Sequence, residues 1–371
     1  MIKILFMIHS LEHGGAEKVL VNLVNNMNQK KFDITVMTIF DTGVNKQFLK
    51  KHIKYKYCFK HIFRGNIHLL KIFTPTSLYK YFIKDDYDIV VSYLEGPSAR
   101  IISGCPNRDT KLVSWIHIQQ YDKKNASRSF RSYEEAKKCY EKFNKIVCVS
   151  NSVKNDFCSL FPLKEKCIVL YNTNETDKIK ELANDNKLDI SFEKDFFYIC
   201  GIGKLLHSKG FDRILNIHRR LIKEGFKIKT IILGIGPDKN KLEKHIKNYH
   251  LEDSFFLLGY QVNPYKYLKH SNLFVCASYA EGFSTAATEA LILGVPVLTT
   301  DVAGMFEMLG KNEYGIIVPN KDEALYSGIK EYLESESKQK YYKKQAVIRG
   351  EDFSTKKTTH AVEDMLIKLL K

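Results

Sequence analysis

Residues 273–300 read LFVCASYAEGFSTAATEALILGVPVLTT, which predicts a strand, a loop, a helix and a second strand in succession. The runs Leu273–Cys276 and Val295–Thr299 are short and apolar, as expected of buried strands. Between them, Glu281 and Glu289 flank a segment that is long enough for two turns of helix. Strands that alternate with helices in this way indicate a parallel sheet and an α/β fold.

The same alternation extends through the chain and starts twice. In the first half, helical spacing covers Glu17–Met27, and strands are predicted over Lys3–Ile8, Asp33–Ile39, Asp88–Ser92, Lys111–Trp115 and Lys145–Val149. In the second half, we predict helices over Asp212–Glu224 and Lys239–Tyr249, and strands over Phe196–Cys200, Thr230–Leu233, Phe255–Leu257, Leu273–Cys276, Val295–Thr299 and Gly315–Val318.

We therefore predict two Rossmann-like, doubly wound α/β domains. The N-terminal domain is expected over residues 1–172, a polar linker over 173–194, and the C-terminal domain over 195–354. Ligands of such sheets bind at the carboxyl ends of the strands. If the two domains face each other, the site is expected in the central cleft, with the hinge in the linker.

The composition fits a chain of this kind. A length of 371 residues corresponds to about two domains. No apolar run approaches the roughly 20 residues that a membrane span requires, and the initial MIKILFMIHS is interpreted as a strand rather than a signal peptide. The eight cysteines form no CxxC pair, which favours reduced thiols and a cytoplasmic location over a zinc site or a disulfide framework.

The positive charge is concentrated in the first half. The net charge is +16, and residues 1–172 account for +13 of it. The basic segment, Lys46–Lys84, holds ten basic residues, nine aromatic residues including Phe63, and no acid. This pattern indicates an anionic membrane surface or a nucleic acid as a partner, and the alternative is a solvated basic face over an ordinary core.

The loop after the first predicted strand is a candidate ligand-binding loop. It spans His9–Glu17 and places Gly14 and Gly15 at the start of a helix, where backbone N–H groups are able to approach an anion. The loop does not match the GxGxxG pattern of dinucleotide-binding proteins. The alternative is a tight strand–helix turn.

Two loops of the second half carry the charged candidates. Lys204 and Lys209 lie on one loop before a predicted helix and form a cationic seat for a phosphate or diphosphate, unless they are two ordinary surface lysines. Glu281 and Glu289 are able to accept hydrogen bonds from sugar and ribose hydroxyls. Ser284, at the start of the same helix, is placed to bind phosphate, although an N-cap with two surface acids has the same pattern.

Together these motifs resemble the retaining GT-B glycosyltransferases of family 4. Glu281 and Glu289 match the E-x7-E signature of that family, and Gly14–Glu17 is similar to its G-G-A-E loop. Further stretches that resemble family motifs are Gly203–Leu205 with Ser208–Gly210, Leu233–Pro237, Phe256–Gly259, Tyr265–Leu268, Gly294–Val297 and Gly304–Glu307. The resemblance covers nearly the whole chain and is most specific in the C-terminal half.

The resemblance implies a GT-B fold and transfer of a hexose with retention of configuration. The donor would be a nucleotide diphosphate sugar, with UDP favoured, and the acceptor a hydroxyl of a lipid-linked or polysaccharide substrate in capsule, lipopolysaccharide or other surface glycan synthesis. The last helix of the family returns to the N-terminal domain, which is expected here of residues 355–371. Neither a catalytic metal nor another cofactor is expected, since a cationic loop and a helix N-terminus take the place of the metal.

The family also implies roles for individual residues. The donor diphosphate would be held by Lys204, Lys209, Ser284, Gly14 and Gly15. Lys204 departs from the arginine that is usual at its position, and lysine supplies the charge without a bidentate fork.

The remaining roles concern the sugars. Glu281, Gly282 and Phe283 would bind the transferred sugar and Glu289 the ribose, while His117 would reach the donor sugar from the N-terminal domain. The catalytic candidates are Glu281, His117 and Lys209.

Glu95 and Glu17 are the candidates for the acceptor side. Asp85–Asp88 contains D-x-D, which binds a metal and the sugar nucleotide in another glycosyltransferase fold. Here it directly precedes a predicted strand, so we interpret it as the polar edge of that strand.

The basic segment is then expected to bind the inner face of the cytoplasmic membrane, and no nucleic acid partner is expected. Three alternatives remain at this point. They are a basic protein that binds nucleic acid or anionic surfaces without transferase activity, a GT-B epimerase or phosphorylase, and a binder of sugar nucleotides without activity.

Overall fold

The computed structural model describes residues 1–12, 14–62, 65 and 70–371 of the chain. His13 of the first loop and Phe63 of the basic segment lie outside the described residues. The chain divides into two compact units. The first comprises Met1–Asn174 and Thr355–Lys371, and the second comprises Glu175–Ser354.

The first unit is built on a parallel sheet. Its strands are β1 (Ile2–Ile8), β2 (Phe32–Phe40), β3 (Lys54–Phe59), β4 (Ile89–Ser92), β5 (Lys111–Ile116), β6 (Lys145–Cys148) and β7 (Cys167–Val169). Its helices before the second unit are α1 (Gly15–Asn26), α2 (Pro75–Phe82), α3 (Pro97–Ile102), α4 (Lys123–Ala126), α5 (Tyr133–Glu141) and α6 (Asn151–Leu160), with 3-10 turns at Val44–Phe48 and Lys164–Lys166. The strand order is β3-β2-β1-β4-β5-β6-β7.

The register of this sheet decides which loops of the first unit meet. Met7 of β1 pairs with Ser92 of β4, and Ser92 pairs with Ser114 of β5, all in parallel. Because parallel strands end at the same edge, the segments that follow β1, β4 and β5 lie side by side. β1 is central and has no exposed residue from Ile4 to Ile8, in keeping with its apolar sequence.

The second unit repeats this architecture. Its strands are β8 (Phe197–Ile202), β9 (Ile228–Leu233), β10 (Phe255–Leu257), β11 (Leu273–Cys276), β12 (Val297–Thr300) and β13 (Ile316–Val318). Its helices are α7 (Thr176–Leu182), α8 (Phe211–Lys223), α9 (Lys239–Asn248), α10 (Tyr265–Lys269), α11 (Thr285–Ile292), α12 (Met305–Leu309), α13 (Asp322–Glu334) and α14 (Glu336–Asp352), with a 3-10 turn at His207–Lys209. The strand order is β10-β9-β8-β11-β12-β13, again parallel.

The core of the second unit follows the apolar pattern of α8. This helix buries Phe211, Ile214, Leu215 and Leu221 against the sheet, at the spacing of one helical face. β8 pairs with β9 on one side and with β11 on the other. The loops that follow these three strands therefore leave the sheet at one edge.

The final helix, α15 (Thr355–Lys368), belongs to the first unit. Its Glu363 accepts a hydrogen bond from the backbone N–H of Asn28 at 2.6 Å. The Thr355 hydroxyl at its start donates to the carbonyl of Asn174 at 2.7 Å. These bonds hold the last helix on the N-terminal part of the chain.

The two parallel α/β units confirm the predicted fold class, and the predicted elements agree with the observed ones to within about two residues at their ends. The sequence analysis missed β3 and β7, which are the two edge strands of the first sheet. Edge strands are often short and rich in lysine. β7 has three residues, and β3 reads KYKYCF, so neither shows the apolar run of a central strand.

Candidate active site

Two loops of the second unit are fixed by close backbone contact at the carboxyl edge of its sheet. Gly203 and Leu205, which follow β8, donate backbone N–H bonds to Leu233 and Ile235 at 3.0 and 2.9 Å. Gly234 has φ +148°, and a Cβ atom there would lie 1.8 Å from the carbonyl oxygen of Gly203. Only glycine satisfies both conditions, and the loop that carries Lys204 is consequently held against the turn after β9.

The same loop is tied to the segment after β11. The backbone N–H of Tyr279 donates to the carbonyl of Ser208 at 2.8 Å. Gly210 has φ +65°, and a Cβ atom there would meet the carbonyl oxygen of Ala277 at 2.1 Å. The buried guanidinium of Arg213 donates to that same carbonyl at 3.0 Å. The loop after β8 and the loop after β11 are thus joined by backbone contacts and by Arg213.

Lys209 and Glu281 meet across these two loops. Lys209 Nζ lies 2.5 Å from Glu281 Oε1, and the two side chains are 29% and 11% exposed. The Ser278 hydroxyl donates to the same oxygen at 2.9 Å, and the carbonyl of Ser278 accepts from the Thr300 hydroxyl at 2.6 Å. Lys209 and Ser278 both act on Oε1, as does the Cys276 thiol at 3.9 Å. Glu281 is therefore held in one orientation with a cation beside it.

Lys204 lies on the same loop in a different environment. Its side chain is exposed and forms no ion pair with any residue that the structure describes. The loop therefore carries two lysines in different states. Lys209 pairs with a carboxylate, and Lys204 forms no ion pair with a described residue.

The helix α11 begins beside Glu281. Ser284 is its N-cap, and the serine hydroxyl accepts from the N–H of Ala287 at 3.3 Å. The Phe283 side chain is 6% exposed and packs on Phe353, with ring centroids 5.9 Å apart. The ring of Phe283 is therefore packed inside the second unit. The carbonyl of Gly282 faces Gly304, where a Cβ atom would come within 2.4 Å.

Glu289 lies at the start of the second turn of α11 and is 3% exposed. Its Oε1 accepts a hydrogen bond from the hydroxyl of Tyr265 at 3.2 Å. The structure thus places Glu281 before α11, Ser284 at the N-cap of that helix and Glu289 within it. It also shows a hydrogen-bond donor to Glu289, the hydroxyl of Tyr265.

In the first unit, the glycine loop forms the start of α1. Gly14 is the N-cap, and Gly15 is the first helical residue. Glu17 folds back on Gly14 so closely that a Cβ atom there would lie 1.8 Å from the glutamate Oε2. A carboxylate therefore already lies at this helix N-terminus, which favours negative charge.

Glu95 and His117 meet at the edge where β4 and β5 end. Glu95 Oε2 accepts from the backbone N–H of His117 at 3.0 Å. Burial raises the pKa of Glu95 to about 7, and the charge of Glu17 adds to the rise, while backbone N–H donors oppose it. Glu95 consequently exchanges its proton near neutral pH.

The ring of His117 is neutral. Burial lowers its pKa to about 4, against a smaller opposing effect from its hydrogen bond to the backbone of Tyr93. The side chain is 8% exposed, and Nε2 has no hydrogen-bond partner among the residues that the structure describes. A neutral imidazole nitrogen in this position is an acceptor for a hydroxyl group.

Comparisons with known proteins identify the family of the chain. The family described as Glycosyltransferase Family 4 matches residues 13–178, and the family described as Glycosyl transferases group 1 matches residues 172–348. The two matches together span most of the chain. The chain belongs to glycosyltransferase family 4.

Individual relatives support the assignment. An uncharacterised glycosyltransferase of Methanocaldococcus jannaschii is 33% identical over 202 residues, which are 53% of this chain and 49% of that protein. The match therefore spans about half the length of that relative. The N-acetylgalactosamine-N,N'-diacetylbacillosaminyl-diphospho-undecaprenol 4-alpha-N-acetylgalactosaminyltransferase of Campylobacter jejuni is 27% identical over 354 residues, 93% of this chain and 94% of that enzyme.

Solved structures show the same fold. The structure of HepE from Anabaena in complex with UDP and glucose matches with a TM-score of 0.78 at 18% identity, over 99% of each chain. The glycosyltransferase thus has the GT-B fold of two Rossmann-like units that the sequence predicts.

The D-x-D stretch of the glycosyltransferase has structural partners. Asp85 pairs with Lys56 and accepts from the hydroxyl of Tyr87. Asp88 accepts from the backbone N–H of Lys3 at 2.7 Å, at the start of the central strand β1. Within the described part of the chain, no group of three or more His, Cys, Asp or Glu side chains is arranged to hold a metal ion.

The basic segment is less charged than its sequence suggests. Three of its lysines pair with aspartates that lie outside the segment, namely Lys46 with Asp41, Lys54 with Asp33, and Lys56 with Asp85. Ile72, Phe73 and Tyr81 are 67%, 50% and 70% exposed. The described part of the segment therefore combines partly neutralised lysines with exposed apolar side chains. None of the described helices has both the length and the apolar character needed to cross a membrane.

The sequence analysis missed three residues that hold this site together, Ser278, Tyr265 and Arg213. Ser278 lies three positions before Glu281, and that spacing is a signal only once the loop conformation is known. Tyr265 was noted as part of a family motif without a role. Arg213 is 2% exposed, which the sequence of an amphipathic helix with several arginines does not indicate.

Proposed function

We propose that this glycosyltransferase transfers a hexose from a UDP sugar to a hydroxyl of a lipid-linked or polysaccharide acceptor, with retention of configuration, in the synthesis of a bacterial surface glycan. The observation that carries the proposal is the contact between Lys209 and Glu281, which joins a cationic loop to a carboxylate 72 positions away. A nucleotide diphosphate sugar is anionic at its diphosphate and carries hydroxyl groups on its sugar. The lysine is suited to the first and the carboxylate to the second.

The geometry of the second unit supports the donor-binding roles that we propose. Lys204 is exposed and forms no ion pair with a described residue, and we propose that it is the first of the two lysines to contact the diphosphate. Lys209 then shares its charge between Glu281 and the diphosphate. The N–H groups at the start of α11 stabilise the same anion, while Glu281 accepts from hydroxyls of the transferred sugar.

The reaction proposed is a displacement on one face of the sugar. The bond from the anomeric carbon to the diphosphate oxygen breaks, and a bond to the acceptor oxygen forms. The departing phosphate oxygen takes the acceptor proton. Charge that develops on the diphosphate is stabilised by Lys204 and by Lys209, and the contact with Glu281 holds Lys209 in place before the reaction.

The first unit is proposed to contribute contacts to hydroxyl groups of the substrates. His117 offers Nε2 as an acceptor, and Glu95 and Glu17 offer carboxylates. The name of the Campylobacter relative describes an acceptor on diphospho-undecaprenol, which supports a lipid-linked acceptor here by similarity alone.

Nucleotide binding is the direct test of this proposal. In thermal-shift measurements with UDP, GDP, ADP and their sugar conjugates, we expect UDP ligands to raise the Tm of the wild type. The stabilisation expected is about 2.7 kcal/mol at 100 times Kd. Lys209→Ala is expected to abolish the shift, because it removes a cation from the diphosphate seat.

Lys229→Ala is the matched control. Lys229 also pairs with a glutamate at 2.5 Å, Glu193, but it lies at the amino-terminal end of β9 and away from the site loops. The control should keep the full nucleotide shift. If no nucleotide stabilises the wild type, the donor proposal is wrong.

We further propose that the protein acts at the inner face of the cytoplasmic membrane and binds it through the basic segment. The exposed Ile72, Phe73 and Tyr81 lie on the same segment as exposed lysines, which is the combination that favours an anionic lipid surface. A lipid-linked acceptor resides in such a surface.

Liposome flotation tests this membrane proposal. The wild type is expected to float with anionic vesicles and to remain in solution with neutral ones. The variant Lys51→Glu, Lys60→Glu, Lys80→Glu reverses three exposed lysines that form no ion pair with described residues, and is expected to lose flotation. The same reversal at the exposed lysines 241, 244 and 247 of α9 is the control and should leave flotation unchanged. Equal flotation with neutral lipid would refute the proposal.

A further inference from the structure

Tyr265 and Glu289 form a buried hydrogen bond in the second unit. Tyr265 is 6% exposed and Glu289 is 3% exposed. The tyrosine hydroxyl donates to Glu289 Oε1 at 3.2 Å, and the two residues lie on α10 and α11, which pack together. Glu289 is thus held by a side chain from a different helix.

We propose that Tyr265 is a positioning residue, whose hydroxyl fixes the carboxylate of Glu289 in the orientation that receives the ribose hydroxyls of the donor nucleotide. The inference rests on the proposed function, in which Glu289 binds the ribose. Tyr265 itself is not proposed to contact the nucleotide.

The physical reason lies in the environment of the carboxylate. A carboxylate this deeply buried is costly unless hydrogen bonds satisfy it. It offers about four lone-pair positions, so an oxygen that accepts from Tyr265 still accepts from a ribose hydroxyl. A bond from a neutral donor to an ionised acceptor is stronger than one between neutral groups, and it restricts the rotamers of Glu289. Loss of the hydroxyl would remove one of the contacts that hold Glu289 in the orientation proposed to receive the ribose.

Tyr267 provides a matched control on the same helix. It is fully buried, and its hydroxyl donates to a carboxylate, that of Asp189, and also lies 3.4 Å from Gln261. Tyr267→Phe therefore removes the same atom from the same helix and also breaks a bond to a carboxylate, but it leaves Glu289 untouched.

The experiment measures Kd for UDP and for 2′-deoxy-UDP by calorimetry in the wild type, Tyr265→Phe, Tyr267→Phe, Glu289→Gln and the double variant Tyr265→Phe, Glu289→Gln. Tyr265→Phe is expected to weaken UDP binding about fivefold to tenfold and 2′-deoxy-UDP binding by less than about twofold. The double variant should bind UDP as Glu289→Gln does, because the two residues act as a unit. The guanine pair, GDP and 2′-deoxy-GDP, is measured in parallel.

The ratio of the two affinities within one sample does not depend on how much of a variant is folded, so a loss of stability alone leaves it unchanged. If Tyr265→Phe weakens both nucleotides equally, or behaves like Tyr267→Phe, the tyrosine is structural and the inference is wrong. If Glu289→Gln lowers the ratio and Tyr265→Phe does not, the inference fails while the donor proposal stands. If the wild type binds neither pair of nucleotides, both fail.

Discussion

Glu281→Gln is expected to lower kcat/KM by about 100-fold or more, measured as nucleoside diphosphate release with the donor that the thermal-shift measurements identify. The substitution keeps the size of the side chain but removes its charge. Lys209 then loses the partner that lies 2.5 Å away, and Ser278 loses an ionised acceptor. The transferred sugar loses a charged acceptor at the same time. We therefore expect a fall in kcat as well as a rise in KM.

The matched control is Glu193→Gln. Glu193 pairs with Lys229 at 2.5 Å in the same unit, at the opposite end of the sheet. This control also removes one carboxylate from a lysine pair and should change kcat/KM by less than about twofold, because Glu193 is 51% exposed and lies at the other end of the sheet from Glu281. Equal losses in the two variants would mean that the effect of Glu281→Gln is one of general stability, and would contradict the catalytic role.

The sequence identified charged residues that lie in this candidate site, but it did not show how they contact one another. Lys209, Glu281 and Glu289 were found because charged residues after buried strands are informative when the sheet is parallel. Their contacts depend on the loops, which φ +65° at Gly210 and φ +148° at Gly234 hold together. A glycine in a sequence does not reveal its φ angle, so the pairing of Lys209 with Glu281 was not predictable.

The edges of the fold were the least predictable part. β3 lies at the edge of the first sheet, and its Lys54 and Lys56 pair with Asp33 and Asp85. The sequence showed only a run without acids, because the neutralising aspartates come from outside the run. The charge of a segment is thus a poor guide to the charge of the surface that it forms. The membrane proposal rests on the lysines that form no ion pair with described residues and on the exposed apolar side chains.

Arg100 is the residue of the first unit whose loss is expected to be most destabilising. Its side chain is 1% exposed and binds the carboxylate of Glu135 through two bonds of 3.0 and 2.8 Å. It also donates to the carbonyls of Leu70 and Phe73 at 2.7 and 2.8 Å. Arg100→Met would leave a half-buried carboxylate and two carbonyls without these donors. We expect the free energy of unfolding to fall by about 3 kcal/mol, measured by urea denaturation at pH 7.

The pH dependence of this effect identifies its origin. Burial alone would raise the pKa of Glu135, but hydrogen bonds from Arg100 and from the N–H of Arg131, with the charges of both arginines, outweigh it and hold that pKa below 4.5. A carboxyl with a lowered pKa stabilises the fold above its ordinary pKa, and this contribution is lost as the pH falls through the folded-state value. The difference between wild type and Arg100→Met should therefore narrow in acid.

Arg131→Met is the control, since Arg131 also donates to two carbonyls, those of Lys71 and Ile72 at 2.6 Å, yet is 46% exposed. Its loss should cost about 1 kcal/mol or less, because water replaces the guanidinium at an exposed site. If the two arginines cost the same, or if the difference between the wild type and Arg100→Met does not narrow in acid, the stabilisation does not come from the charge of Arg100 beside Glu135, and this prediction is wrong.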